Sequence, residues 1–419
     1  MKPRVGITGL GLITPIGNDR ASVLSSLHQQ RHGFTPVSWF SDCAIKLAGT
    51  IKDFDLTSLQ SVDWEWPERY EITRETLRSL PPHGVYALCA AEQAIAEAGL
   101  DRGQLSSGET GLFCASAGSP RFLHHHLGEA EESDGRRIHP WGVVTSIAGT
   151  LNFNLATYLG IKGAVTGFSS ACAASTHAIG YACDEIMLGR QQRMIVIGAE
   201  EPCWESLLPF NGMRALSLHE DPPIASCPFD QKRSGFVGSG GGVALVLENV
   251  ETAQKRGAHV QVEIAGWGQS ADGHSVAQSD PKGAGLSRAI QRALQSANIS
   301  PDDLDYINAH ATSTKVGDAA EIQALQRLLG EHRPPISSTK GLTGHPLSMS
   351  GALETAISTL AISEGFIPGN AHLSEPDPIC GDLNLPRENL SVPPTTILKN
   401  SSGFGGSNVC LVLRKPPDS

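Results

Sequence analysis

Short apolar runs alternate along the chain with stretches whose apolar residues recur at helical spacing. Residues 4–14, RVGITGLGLIT, predict a buried strand and turn. Residues 84–100, GVYALCAAEQAIAEAGL, predict a helix that stops at Gly99. Strands follow at TGLFCASAG (110–118), QQRMIVIGAEE (191–201) and GGGVALVLENV (240–250), then a short helix at 250–259. VQVEIAGWG (260–268) opens a second, similar course. It has helices at 282–299, 317–330 and 350–365, and strands at LDYINAH (304–310) and NVCLVLRK (408–415). The alternation predicts an α/β chain. The halves 1–249 and 250–419 echo each other loosely, with a join near 249–259. Residues 118–140 are polar and turn-rich, and read as a surface excursion. On such a loop His124, His125 and His126 could not all face one ion, so they read as solvated.

Composition narrows the classes. The 419 residues are 40% hydrophobic, enough for a large core. A net charge of −11 argues against nonspecific binding to nucleic acid or an anionic membrane. Nine cysteines, odd in number and without a CxxC pair, suit a reduced intracellular chain better than a disulfide scaffold or zinc module. The first residues make a poor signal-peptide core, and no long apolar run is present, so the expectation is cytoplasmic with no membrane insertion. Two glycine-rich stretches, TGLGLITPIG and GFVGSGGGVALVLE, lack the features of a nucleotide fingerprint and read as close backbone packing.

Three segments carry candidate chemistry: SSACAASTHAIG around Cys172, NAHATSTKVGDAAE with His310, and SSTKGLTGHPLSMSGALE with Lys340 and His345. Taken singly, Cys172 reads as a core cysteine and each histidine as a satisfied polar residue. Together they make a coherent set. A thiol at the start of a helix gains from the positive helix end, which should favour its thiolate. Two imidazoles can donate to a developing oxyanion or enolate, and a lysine can hold one of them. Cys183, about three turns along the same helix, reads as packing.

These motifs, with NSSGFGGSN near the C-terminus, resemble the elongating β-ketoacyl-acyl carrier protein synthases, over nearly the whole chain. GSPRF (118–122), GAEEPCWE (198–205) and PFDQKRSGFV (228–237) look most like the type I branch. The resemblance implies a thiolase fold, a five-layer αβαβα core of two duplicated halves. It implies Cys172 as the acylated nucleophile, and His310 and His345 at the malonyl thioester with Lys340 supporting them. The backbone N–H groups of Cys172 and Phe404 would form an oxyanion hole, with Phe404 gating the acyl pocket in a loop at 400–408. Thr312 and Thr314 would meet the phosphopantetheine arm, and Glu321 would stand behind the site. It further implies a homodimer, acyl carrier protein as partner, and no metal or organic cofactor. The sequence departs from the family pattern at Ala311, at Pro346–Ser350 and at Ser402, near the pocket rather than at the catalytic positions. The reaction expected is decarboxylating condensation in fatty acid elongation. The alternative is a ketosynthase of a specialised polyene or polyketide-type pathway, acting with a related partner chain. A thiolase would need a second cysteine as base, and Cys410 lies in a strand pattern instead.

Overall fold

The computed structural model describes residues 3–40 and 42–417. Its strands are β1 (Val5–Ile13), β2 (Phe34–Pro36), β3 (Leu47–Gly49), β4 (Thr110–Ala115), β5 (Val165–Phe168), β6 (Arg193–Glu200), β7 (Gly241–Asn249), β8 (Val262–Ala271), β9 (Tyr306–Asn308), β10 (Ile336–Ser337), β11 (Thr396–Gly403) and β12 (Ser407–Arg414). Apart from the small β2–β3 pair, they join in the order β10-β9-β11-β12-β8-β1-β7-β6-β4-β5. β1 and β8 touch through only two residue pairs, Gly6 with Glu263 and Ile7 with Val262. On either side of that seam the pattern is the same. The first strand of each set pairs antiparallel with the last, the last pairs antiparallel with the fourth, and the remaining pairings are parallel.

Strands buried on both faces need helices on both faces. The Pro82–Ala98 helix covers β1, β7 and β6 on one outside. The Ala284–Ala297 helix covers β8 and β12 on the other. Between the two sets lie the Ala174–Met187 and Ser350–Glu364 helices, which pack on each other and on strands of both sets. The result is five layers, αβαβα. All but two residues of the Ser350–Glu364 helix are buried, as a central layer requires. Small residues let this layer close: a Cβ added at Gly351 would overlap the Thr176 hydroxyl of the neighbouring helix.

The region 118–140 departs from expectation. Pro120–Glu132 is a helix, capped by the Ser119 hydroxyl on the Phe122 N–H, with Phe122 in the core. Its polarity is that of an amphipathic surface helix, not of a loop. Helical geometry brings His125, His126 and Glu129 together, with ligand atoms within 4.8 Å of one another. His124 turns elsewhere, edge-on to Trp204. So two of the three histidines, with an acidic side chain, could hold a metal ion at the surface.

Among the described residues no helix is long and apolar enough to cross a membrane.

Candidate active site

The turn before the Ala174–Met187 helix sets the nucleophile. Ala171 has φ +50°, a left-handed conformation that an alanine adopts only under constraint. That turn is closed by hydrogen bonds from Ala173 N to Ser170 O and from Ala174 N to Ala171 O. Cys172 sits at its tip, buried.

His345 arrives from a different part of the chain. Its backbone is pinned to the 237–239 segment by hydrogen bonds with Val237 O and Ser239 N. His345 Nε2 lies 3.0 Å from Cys172 Sγ. Its Nδ1 lies 3.0 Å from the Ser350 hydroxyl. His310 follows β9 and stands edge-on to His345, with ring centroids 5.4 Å apart. Glu321 holds the His310 loop from behind: its carboxylate accepts from the backbone N–H groups of His310 (2.8 Å) and Ala311 (2.7 Å), and from Asn400 Nδ2. Ala311 has no positive φ and lies in the core, so its methyl is accommodated there.

Lys340 ties these parts together. Its ammonium donates to His310 O at 2.6 Å and lies 3.3 Å from His310 Nδ1. It also ion-pairs with Glu354. A cation at Nδ1 makes that nitrogen the acceptor and leaves the proton on Nε2. Burial first, and Lys340 second, hold both imidazoles well below the ordinary histidine range. Both are neutral at physiological pH.

The thiol behaves differently from expectation. Burial pushes Cys172 up to about 12, with Lys340 opposing and the Glu200 and Glu354 carboxylates adding to the rise. The helix end alone does not make a thiolate in this dry site. The proton must leave through a partner, and His345 Nε2 is within reach. Ser350 serves either tautomer of that ring, since a hydroxyl both donates and accepts.

A cavity of about 540 Å³ leads from the surface to Cys172, His310 and His345. Thr312 and Thr314 line it with their hydroxyls 3.0 Å apart, and Thr314 also caps the Lys315–Leu329 helix. Phe404 stands in its wall, followed by Gly405 and Gly406, both at positive φ. A Cβ added at Gly403 would come within 3.1 Å of Cys172 N, so the Phe404 loop lies directly against the nucleophile's backbone. Phe404, Phe210, Phe236 and His345 form a continuous row of aromatic contacts.

The structure thus brings together all the residues singled out in the sequence: Cys172, His310, Lys340, His345, Thr312, Thr314, Glu321 and Phe404. It adds others. Ser350 and Glu354 sit within the GHPLSMSGALE motif but show no role from sequence alone. Phe236 lies in PFDQKRSGFV, which gave it no role, and Lys399 lies just before the NSSGFGGSN motif where nothing pointed to the site. Asp318, in the GDAAE motif, is buried against Arg233 at 3.6 Å, and burial raises its carboxyl to about 6.

Comparison with known proteins agrees with this geometry. Residues 2–253 match the family model "Beta-ketoacyl synthase, N-terminal domain", and residues 261–374 match "Beta-ketoacyl synthase, C-terminal domain". The chain is 37% identical to 3-oxoacyl-acyl-carrier-protein synthase 1 of Escherichia coli strain K12, over 99% of this chain and 100% of that one. A beta-ketoacyl synthase from Burkholderia phymatum STM815 superposes with a TM-score of 0.90 at 32% identity, covering both chains fully. A type II PKS acyl-carrier protein in complex with its ketosynthase gives a TM-score of 0.87 at 29% identity, again over 100% of both chains. With a thiol and two neutral imidazoles at the end of one cavity, in a fold of this kind, the chain belongs to the β-ketoacyl synthase family and is an acyl-transferring condensing enzyme.

Proposed function

We propose that the enzyme elongates an acyl chain on Cys172 with two carbons from malonyl-acyl carrier protein, in fatty acid elongation. The observation that carries this is the placement of two neutral imidazoles and one thiol at the inner end of the cavity. In the first stage the Cys172 thiol passes its proton to His345 Nε2, and the sulfur attacks the thioester of the incoming acyl chain. The carrier's pantetheine leaves as a thiol, taking a proton, and the acyl group stays on Cys172.

In the second stage His310 donates to the thioester oxygen of a malonyl unit, and so does His345, now in its Nε2–H tautomer with Nδ1 accepting from the Ser350 hydroxyl. Carbon dioxide leaves, and the electron pair of the broken bond becomes the enolate they stabilise. The enolate carbon attacks the acyl-Cys172 carbonyl. The backbone N–H groups of Cys172 and Phe404 hold the resulting oxyanion, and the sulfur departs as the β-ketoacyl product forms. Lys340 keeps His310 in the donor tautomer. Thr312 and Thr314 hold the phosphopantetheine arm, Phe404 gates the acyl end, and Glu321 fixes the His310 loop.

This chemistry moves protons and carbon, not electrons, so no metal or organic cofactor is needed. The Lys340 ammonium 3.3 Å from His310 Nδ1 also disfavours a dication among these side chains. We place the enzyme in the cytoplasm, as a homodimer. β5 ends the strand order with a free edge, and exposed apolar residues nearby, Phe153, Val165 and Ile147, suit a second copy. The matching strand order across the 249–259 join supports reading 1–249 and 250–419 as two copies of one unit.

The test is mass spectrometry of Cys172 after exposure to acyl-carrier proteins, with carbon dioxide release from malonyl-carrier protein. Cys172→Ala should lose condensation. A folded Cys172→Ala that still condenses two substrates overturns the reading. A second reading, a ketosynthase of a polyene or polyketide-type pathway paired with a related chain, draws on the likeness to the type II PKS ketosynthase and on Ser402 beside Phe404 in the cavity wall. Native mass spectrometry with and without candidate partner chains separates the two.

A further inference from the structure

Lys399 is the unexpected charge in this molecule. It lies on β11 with no exposure, and lysine is almost never so deeply buried unless paired. Its ammonium has three donors and finds three oxygens. It donates to the Thr176 hydroxyl at 2.9 Å and to the Ser401 hydroxyl, and it ion-pairs with Glu354 Oε2 at 3.1 Å. Each oxygen belongs to a different part of the site. Thr176 is on the helix that follows Cys172, Ser401 leads into the Phe404 loop, and Glu354 is on the helix behind His345.

Glu354 is shared. One carboxylate oxygen takes Lys340 and the other faces Lys399. Two ammonium groups against one carboxylate leave a net positive charge behind the reacting groups. With Lys340 and Glu354 alone, the pair would be neutral, and the carboxylate would cancel most of the lysine's field at Cys172 and His310. We infer that Lys399 is a positioning residue for the condensation: by engaging Glu354 it frees the positive field of Lys340 to act on the Cys172 sulfur and on the enolate held by His310 and His345.

The other charged groups do not undo this. Cys172 faces Lys340, Glu200 and Glu354; His310 faces Lys340, His345 and Lys399; Lys399 faces Glu354, Lys340 and the thiol of Cys410, which in turn faces Glu321. Burial lifts both Glu200 and Glu321 to about 7, so near neutrality each carries only part of its charge. Burial draws Lys399 below the ordinary lysine range while Glu354 works the other way.

The inference rests on Cys172 being the nucleophile, so the test reads that residue directly. Wild type, Lys399→Met and Lys399→Gln are alkylated with iodoacetamide across a pH series, with the modified cysteine located by peptide mass spectrometry. Removing a cation raises a thiol's pKa, so thiolate appears at higher pH. At every pH below the thiol's own range the alkylation rate, which follows the thiolate fraction, should be about tenfold lower in both variants. Decarboxylation of malonyl-carrier protein at pH 7 should fall about tenfold in kcat with KM little changed. Lys399→Met leaves Glu354 Oε1 paired with Lys340 and Thr176 hydrogen-bonded to Ser401 at 2.8 Å, while Glu354 Oε2 loses its ion-pair partner; Lys399→Gln offers that oxygen an amide donor instead. Folded variants with the wild-type alkylation rate overturn the proposal, and so does loss of the folded state in both, which would make Lys399 a stability element. Absence of Cys172 alkylation in the wild type counts instead against the nucleophile itself.

Discussion

At the scale of single residues, two departures from the family pattern turn out to be connected groups. Ser350 looks in the sequence like extra bulk behind His345. In the structure its hydroxyl is the partner of His345 Nδ1. Ser350→Ala would leave that nitrogen without the hydroxyl in a dry site, a cost of about 1–3 kcal/mol. We expect acyl transfer to Cys172 to slow at least tenfold while the melting temperature stays near wild type, read by stopped acylation and a thermal scan. Ser402 looks like a lost aromatic ring. Its hydroxyl donates to Asn408 Oδ1 at 2.7 Å, and Asn408 Nδ2 donates to Asp272 Oδ1 at 2.8 Å, so it ties β11 to β12 and to the residue that follows β8, beside the gate. Ser402→Phe breaks this chain and puts a ring into the cavity next to Phe404. Acylation by long chains should then slow more than acylation by short ones, measured across a panel of acyl-carrier proteins. Equal slowing for all lengths would mean that Ser402 does not set chain acceptance.

At the scale of elements, the readable parts were those whose burial is apolar. β1, β6 and β7 are rich in Val, Ile, Leu and Gly and almost wholly buried, and the Pro82–Ala98 helix ends at Gly99 in the left-handed conformation, as its pattern implied. The parts that were not readable are buried polar. β11, TILKNSSG, carries Lys399, Asn400 and Ser401 in a wholly buried stretch, because Glu354, Glu321 and Thr176 satisfy them from other elements. No local pattern shows such partners. The Pro120–Glu132 helix was missed for the opposite reason: its outer face is so polar that its single core anchor, Phe122, is lost among histidines and glutamates. Catalytic positions were legible because the motifs mark them, but the charges that tune them come from across the fold. The central helix pair is the element most sensitive to substitution. A side chain at Gly351 would overlap Thr176, which also receives the Lys399 hydrogen bond. Gly351→Val should therefore destabilise by about 1–3 kcal/mol, the usual cost of overpacking. It should also slow Cys172 alkylation, because the displaced helix starts two residues after the nucleophile. A variant that melts lower but alkylates normally would show that the two helices move without disturbing the turn at Cys172.

At the scale of the whole molecule, charge poses the remaining problem. The chain carries −11, and carrier proteins are acidic, so the two should repel on average. Binding then has to rely on local cations at the place where the arm enters. Arg214 and Lys315 are exposed and line the mouth of the cavity. The acidic side chains in the same wall are occupied: Asp272 by Asn408 and the Asp280 N–H, and Asp280 by the N–H groups of Lys282 and Ala284. Those carboxylates keep their charge but are held by amide donors, while Arg214 and Lys315 extend into solvent at the mouth. Screening works on both terms: salt weakens the attraction at the mouth within about 8 Å at physiological strength, and weakens the overall repulsion too. The local contact is closer, so its loss should dominate, and KM for acyl-carrier protein should rise as salt is added. Arg214→Glu and Lys315→Glu should each raise that KM about threefold or more at low salt, in keeping with the modest worth of exposed ion pairs. Neither should change alkylation of Cys172 by iodoacetamide, which needs no docking. A KM that is flat in salt and unmoved by both reversals would place carrier docking on another face of the protein.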